Sequence, residues 1–305
     1  MAPRESIAAD FDWNQLCTLR LRARAIADGL YVGMHRSARR GVGVEFGGRR
    51  NYVPGDDLRW LDRHALMRHG KLLVREFETD TERLLYLVVD ASRSMTYRSS
   101  LAPVSKWTYA AAVAAALARI ALAAGDPVAL DWVSGENSRW LPAMSGREAF
   151  ERVVGALETT DPGGMAALSS AAFERAMVPV MRYARRGTIV VVLSDLLDLP
   201  DGAIEMLGDL ASGQRSLVVV RTLDPAETSF PFTGATKFVS LEGHAVVETD
   251  AGLARDGYLA ELARETEQVR ERLADRGGRL LTVDTRQSPV ETVRSIVERV
   301  GAARS

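Results

Sequence analysis

Residues 84–95 read LLYLVVDASRSM. The run 84–89 is apolar without polar alternation, which predicts a strand buried on both faces, as in a parallel sheet. It stops at Asp90, and Ser92 and Ser94 follow at alternate positions. These oxygen-bearing side chains have two readings. Asp and Ser cap turns by bonding neighbouring backbone N–H groups, so DASRS is a strand-to-helix turn on the plainer view. On the other, a curving loop aims one carboxylate and two hydroxyls at one point, a ligand set that suits a hard cation such as Mg²⁺.

The same texture recurs downstream. PVALDWVS (127–134), TIVVVLSD (188–195), SLVVVRTL (216–223) and RLLTVDT (279–285) are strand candidates, and SRWLPA (138–143) reads as a short antiparallel edge strand. Helical patterns separate them at 104–125, 145–158, 165–186, 202–213, 255–278 and 288–301. Ser145 with Glu148 reads as a capping box, Ser288 with Pro289 as an N-cap and first turn, and Pro179 as a kink. Residues 235–250 read as a hairpin turning at Gly243 and His244. Apolar strands joined by helices call for an α/β fold, a doubly wound, mostly parallel sheet with helices on both faces. Such sheets bind ligands outside the carboxyl ends of their strands, near the point where strand order reverses. That rule places Asp90 and Asp195, each at the end of its strand, on one rim. Residues 1–80 are irregular and rich in Gly and Arg; an N-terminal helix and this segment are expected to pack on a main domain over 81–305.

Composition narrows the function. The 305 residues are 47% hydrophobic and 26% charged, as in a globular chain with a substantial core. Lys and Arg number 39 against 40 Asp and Glu, so no global field draws nucleic acid, and none is expected as a partner. An Arg excess from Arg20 to Arg50 is local. The single cysteine, Cys17, excludes a disulfide framework within the chain. The N-terminus lacks a signal-like apolar core, and the Ala-rich window 107–125 carries Arg119, so membrane insertion is not expected and the cytoplasm is the expected compartment. His64 and His69 are not at the spacing of a helical zinc pair, and neither a Walker A motif nor G-x-S-x-G occurs. Trp107 and Trp132 read as core rather than as a binding face.

The segment DASRS, with a second acid in SDLLD (194–198), resembles the metal-ion-dependent adhesion site of von Willebrand factor A domains, whose signature is D-x-S-x-S. Upstream, GVGVEFGGRRNYVPGDDLRWLDRHALMRHGKLLVREFETD (41–80) resembles the signature of a bacterial family known only as the fifty-eighth domain of unknown function. That family joins G-x-G-x-E-F…R-x-Y-x-P-G-D-D-x-R-x-x-D to a von Willebrand A domain. Gly41, Gly43, Glu45, Phe46, Arg50, Tyr52, Pro54, Gly55, Asp56, Asp57, Arg59, Asp62 and Glu76 match, as does DPAE (224–227). By themselves Asp56 and Asp57 read as a Pro-Gly turn whose acids bond backbone amides and Arg50 or Arg59.

The resemblance implies a non-enzymatic adaptor that works with a MoxR-type AAA+ ATPase in maturing or assembling a client complex. It also implies Mg²⁺ or Mn²⁺ on Asp90, Ser92, Ser94 and Asp195, with a partner carboxylate at the open position. The partner-binding rim would be Asp90, Ser92, Ser94, Met165 and Asp195. Two departures stand out. Arg63 replaces a Trp, and Met165 in DPGGMAAL stands where a ligand Thr is expected. A thioether is a poor ligand for a hard cation, so Thr159 or Thr160 becomes the substitute candidate. Either a partner completes the coordination or the rim docks partners without metal. The enzymatic alternative is a phosphohydrolase of the haloacid dehalogenase type, with Asp90 as nucleophile and Ser194 as phosphate binder. That chemistry wants a carboxylate two residues after the nucleophile, where Ser92 stands.

Overall fold

Where the chain is apolar and β-branched it forms strands, and where the apolar period lengthens it forms helices. The computed structural model describes residues 18–37, 49–51, 73–75, 83–133, 139–163, 170–197, 199–241 and 245–302. The chain divides into two compact units, Tyr31–Thr81 and a larger one of Met1–Leu30 with Glu82–Ser305. Helix α1 is Leu19–Ser37. In the smaller unit β1 (Arg49–Asn51) pairs antiparallel with β2 (Leu73–Arg75), Arg50 opposite Val74.

The larger unit continues with β3 (Leu85–Asp90), α2 (Lys106–Ala123), β4 (Val128–Val133), β5 (Arg139–Met144), α3 (Arg147–Thr159) and α4 (Ser170–Tyr183). Then follow β6 (Ile189–Ser194), α5 (Ala203–Asp209), β7 (Ser216–Leu223), α6 (Pro225–Ser229), β8 (Ala235–Val239) and β9 (Val246–Asp250). Helix α7 (Ala251–Ala274), β10 (Arg279–Asp284) and α8 (Pro289–Ala302) complete it. Six strands form one sheet in the order β10-β7-β6-β3-β4-β5, all parallel except β5, which runs antiparallel to β4 at the edge. Strands β8 and β9 form a separate antiparallel hairpin. The fold is α/β, with a mixed, mostly parallel sheet flanked by helices.

Successive strand residues point to opposite faces, and each face carries its own core. Leu85, Leu87 and Val89 of β3 face a cluster with α1 (Ala23, Ile26, Leu30), α2, α3 and α8. Tyr86 and Val88 face a second cluster with α4, α5 and the end of α7. Burial on both faces is why these strands show no polar alternation. Helix α2 presents alanines 110–112, 114–116 and 118 almost fully buried, and the short side chains let its backbone lie close to its neighbours.

Two caps differ from the expected ones. Gly146, at φ 82, is the N-cap of α3 in place of Ser145, because that turn needs a left-handed backbone that glycine adopts without penalty. Helix α7 starts at Ala251, earlier than its charge pattern suggested, because Asp250 accepts from the N–H groups of Gly252 (2.9 Å) and Leu253 (3.2 Å). Replacing the fully buried Ala114 by Leu overfills the α2 interface. Ala114→Leu is expected to lower stability by about 1–3 kcal/mol in urea unfolding.

Candidate functional site

The sheet order reverses between β3 and β6, and the rim opens there. Strand β3 ends at Asp90, and the chain turns through Ser92 into a single 3₁₀ turn, Arg93–Thr96, that buries Ser94 and Met95. Asp90 Oδ1 accepts from Ser92 N–H at 2.8 Å, and the hydroxyls of Ser92 and Ser94 share a hydrogen bond at 3.0 Å. Across the gap, Ser194 Oγ donates to Asp90 Oδ2 at 2.5 Å and accepts from Leu196 N–H at 2.9 Å. Leu196 sits at φ 59, a left-handed backbone that costs a leucine about 1 kcal/mol or more. Asp195 Oδ1 helps hold that turn by accepting from Leu197 N–H at 3.1 Å.

The other oxygen of Asp195 meets a cation from within the chain. Lys106, the first residue of α2 after the N-cap Ser105, is fully buried. Its Nζ lies 2.8 Å from Asp195 Oδ2 and 2.7 Å from Glu227 Oε1. Glu227 comes from α6, where Asp224 and Glu227 form a reciprocal capping box behind Pro225. Glu227 Oε2 accepts from Asp224 N–H at 2.7 Å, while Asp224 accepts from Ala226 N–H (2.8 Å) and Ser99 N–H (2.9 Å). Beside this group the buried Arg221 donates to the carbonyl of Asp195 (3.2 Å), to Thr266 Oγ1 (2.8 Å) and to Glu265 (2.9 Å).

The charges respond to burial. Asp90 is pushed up to about 6, first by burial and then by the nearby Asp195 carboxylate, against the hydrogen bonds from Ser194 and Ser92. Burial alone would lower the Lys106 pKa, but the carboxylates of Asp195 and Glu227 outweigh it and hold the ammonium charged.

The structure brings Asp90, Ser92, Ser94, Ser194 and Asp195 to one rim, as the strand ends predicted. The metal expectation does not hold. Among the described residues no group of three or more His, Cys, Asp or Glu is placed to bind an ion. The reason is visible in the partners. Both oxygens of Asp90 accept hydrogen bonds from the chain, Asp195 is paired with an ammonium, and that ammonium repels a second cation. Neither substitute threonine reaches across, since Thr159 donates to Gly155 O and Thr160 to Ala156 O, each at 2.7 Å. Met165 lies outside the described residues. So do Gly41, Gly43, Glu45, Phe46, Tyr52, Pro54, Gly55, Asp56, Asp57, Arg59, Asp62 and Glu76; Arg50 falls in β1. Sequence reasoning missed Lys106, Glu227 and Asp224 as site residues. The available signal was the D-P-A-E capping pattern, which points to Asp224 and Glu227; a lysine at a helix start carries none.

A second buried carboxyl lies on β4. Asp131 Oδ2 and the neighbouring Tyr86 hydroxyl are buried without hydrogen-bond partners among the described residues. Burial pushes Asp131 up to about 8.

The mostly parallel sheet carries D-x-S-x-S at its switch point, where the sequence resemblance to a von Willebrand factor A domain places it. The chain belongs to the family described as protein of unknown function DUF58, which matches residues 48–268. It is 26% identical over 307 residues to uncharacterized protein Rv1480 of Mycobacterium tuberculosis (strain H37Rv), covering 97% of this chain and 94% of that protein. Uncharacterized protein Mb1516 of Mycobacterium bovis is similar to the same extent. Among solved structures, the conserved hypothetical protein BatB from Bacteroides thetaiotaomicron aligns with a TM-score of 0.46 at 19% identity, covering 73% of this chain and 98% of that one. A von Willebrand factor type A protein from Catenulispora acidiphila aligns with a TM-score of 0.42 at 12% identity, covering 76% and 43%. No helix among the described residues is long and apolar enough to cross a membrane.

Removing the lysine strands two carboxylates in the interior. Lys106→Met is expected to cost about 3–5 kcal/mol in chemical denaturation, and adding Asp195→Asn to recover part of that loss. Asp131 gives a pH signature. Its folded pKa of about 8 lies above the unfolded value near 4, so its contribution is full below pH 4 and is lost as pH rises to 8. Asp131→Asn should flatten this fall, which is at most about 1.4 kcal/mol per pH unit, in denaturation series from pH 5 to 9.

Proposed function

We propose that the chain is a non-catalytic protein-interaction module that captures a protein partner at the carboxyl rim, with Asp90, Ser92, Ser94 and Asp195 at its centre; Met165, outside the described residues, belongs to the same proposed set. Family membership supports this reading, and one observation carries it. The rim's polar groups are held by the chain itself: Asp90 by Ser92 and Ser194, Asp195 by Lys106 and Leu197. Ser94, Ser194 and Asp195 are buried, and this frame holds the partly exposed Asp90 and Ser92 in fixed positions, which suits recognition. It suits the haloacid dehalogenase reading poorly, because Asp90 accepts hydrogen bonds on both oxygens and Ser92 replaces the acid that chemistry needs.

The family resemblance supplies the partner, a MoxR-type AAA+ ATPase, and the role, maturation or assembly of a client complex. Arg93 lies exposed in the DASRS turn, and its side chain has no ion-pair partner among the described residues. The full chain, immobilised, is expected to retain the MoxR-type ATPase of its own organism, and Arg93→Glu to weaken that binding about tenfold. Equal retention by both chains, or Asp90-dependent hydrolysis of p-nitrophenyl phosphate, would overturn the reading.

A further inference from the structure

The end of the sheet opposite the rim has a charge pattern of its own. Arg83 stands two residues before β3, Arg185 and Arg186 shortly before β6, Arg215 immediately before β7, and Arg279 opens β10. Because these strands are parallel, their starts share one end of the sheet. Strand β4 is entered through an acid, Asp126, and in the sequence Glu82 precedes Arg83. Arg299, in the last turn of α8, reaches the same end.

A cleft of about 490 Å³ opens there, lined by Arg215, Arg279 and Arg299 with Gln214 and Ser216. Among the described residues no carboxylate lines it. Arg215 spends its guanidinium on neutral oxygens, the carbonyls of Ser212, Ala184 and Asp209 and the Ser212 hydroxyl, so its charge is not cancelled. Arg279 and Arg299 have no carboxylate partner among the described residues, while the nearby Asp209 is already paired with Arg276. A helix-terminal role accounts for Arg299 alone. It does not account for three guanidinium groups around one concave space.

We propose that this cleft binds a small molecule carrying more than one phosphate group. Guanidinium forks match phosphate oxygens in paired hydrogen bonds, and arginine is the side chain favoured for that recognition. The volume falls in the range of small-molecule sites, about 300–1,000 Å³, and exceeds what one phosphate fills. A concave site of this volume also suits a compact ligand better than a flat membrane or a duplex. Strands β6 and β7 run from this cleft to Asp195 and Asp224, so ligand and rim occupy opposite ends of the same strands.

The probe is inorganic pyrophosphate, titrated calorimetrically into the full chain at fixed ionic strength. Saturable binding is expected, weakened about tenfold or more in Arg279→Gln/Arg299→Gln and unchanged in Arg264→Gln, an exposed arginine of α7 that removes one charge elsewhere. Should the double variant fail to fold, phenylglyoxal modification of the wild-type chain decides. Pyrophosphate should then protect Arg279 and Arg299 from the reagent. Absence of binding, equal affinity in the double variant, or equal modification with and without pyrophosphate would each overturn the proposal. So would binding of hexaglutamate in place of pyrophosphate, which would assign the cleft to an acidic protein segment.

Discussion

The rim depends on one buried ammonium. Lys106 Nζ sits within 2.8 Å of carboxylates from two other elements, the end of β6 and helix α6. Taking those ions out of water costs several kcal/mol each, and a cation at the first turn of a helix also opposes the helix dipole. The arrangement persists only while α2, β6 and α6 are held in register. From there the order propagates by contact. Lys106 fixes Asp195, Asp195 holds the turn at Leu196, that turn aims the Ser194 hydroxyl, and Ser194 engages Asp90 across the switch point.

The main fold was legible because its signal is physical and local. Four strands, β3, β4, β6 and β7, are buried nearly throughout and read as mostly apolar runs, and the longer helices between them show a period. The short gap between β4 and β5 left room for an antiparallel return alone, as seen. Helix α6 was not legible by the same test. Its five residues span little more than one turn, so no periodicity exists to find, and its stability lies in Asp224, Pro225 and Glu227 acting as a cap. The starts of α3 and α7 shifted for a related reason. A cap is set by one residue's backbone angle or carboxylate, and several nearby residues offer one.

The site was legible in position and not in chemistry. Strand ends placed Asp90 and Asp195 on one rim, since any doubly wound sheet does so. The expectation of Mg²⁺ or Mn²⁺ failed because it weighed the oxygen-bearing residues and not the cation already present. Nothing around VSKWTY marks Lys106 as inward-facing; a lysine at a helix start usually lies in solvent. Its direction is decided by where Asp195 and Glu227 arrive, and those residues are 89 and 121 positions away. Met165 was the residue that already argued against a hard cation, and the lysine supplies the reason that such a substitution is tolerable.

On the proposed reading, a fixed lysine changes what the rim recognises. A divalent ion with an open position draws a carboxylate from its partner. An ammonium shared between Asp195 and Glu227 has no charge left over, and the pair exceeds it by one negative charge. Asp224 adds another, and Asp90, with its pKa near 6, is largely ionised at neutral pH. Arg221 does not offset these, because Glu265 is already paired with it. The buried frame is therefore net negative, while the exposed part of the DASRS turn presents the Arg93 guanidinium; on the proposed reading, an acidic group of the partner meets that arginine rather than a metal ion. On that reading the likeness in sequence to D-x-S-x-S keeps the place of recognition, and the buried lysine supplies from within the chain the positive charge that a metal ion would bring.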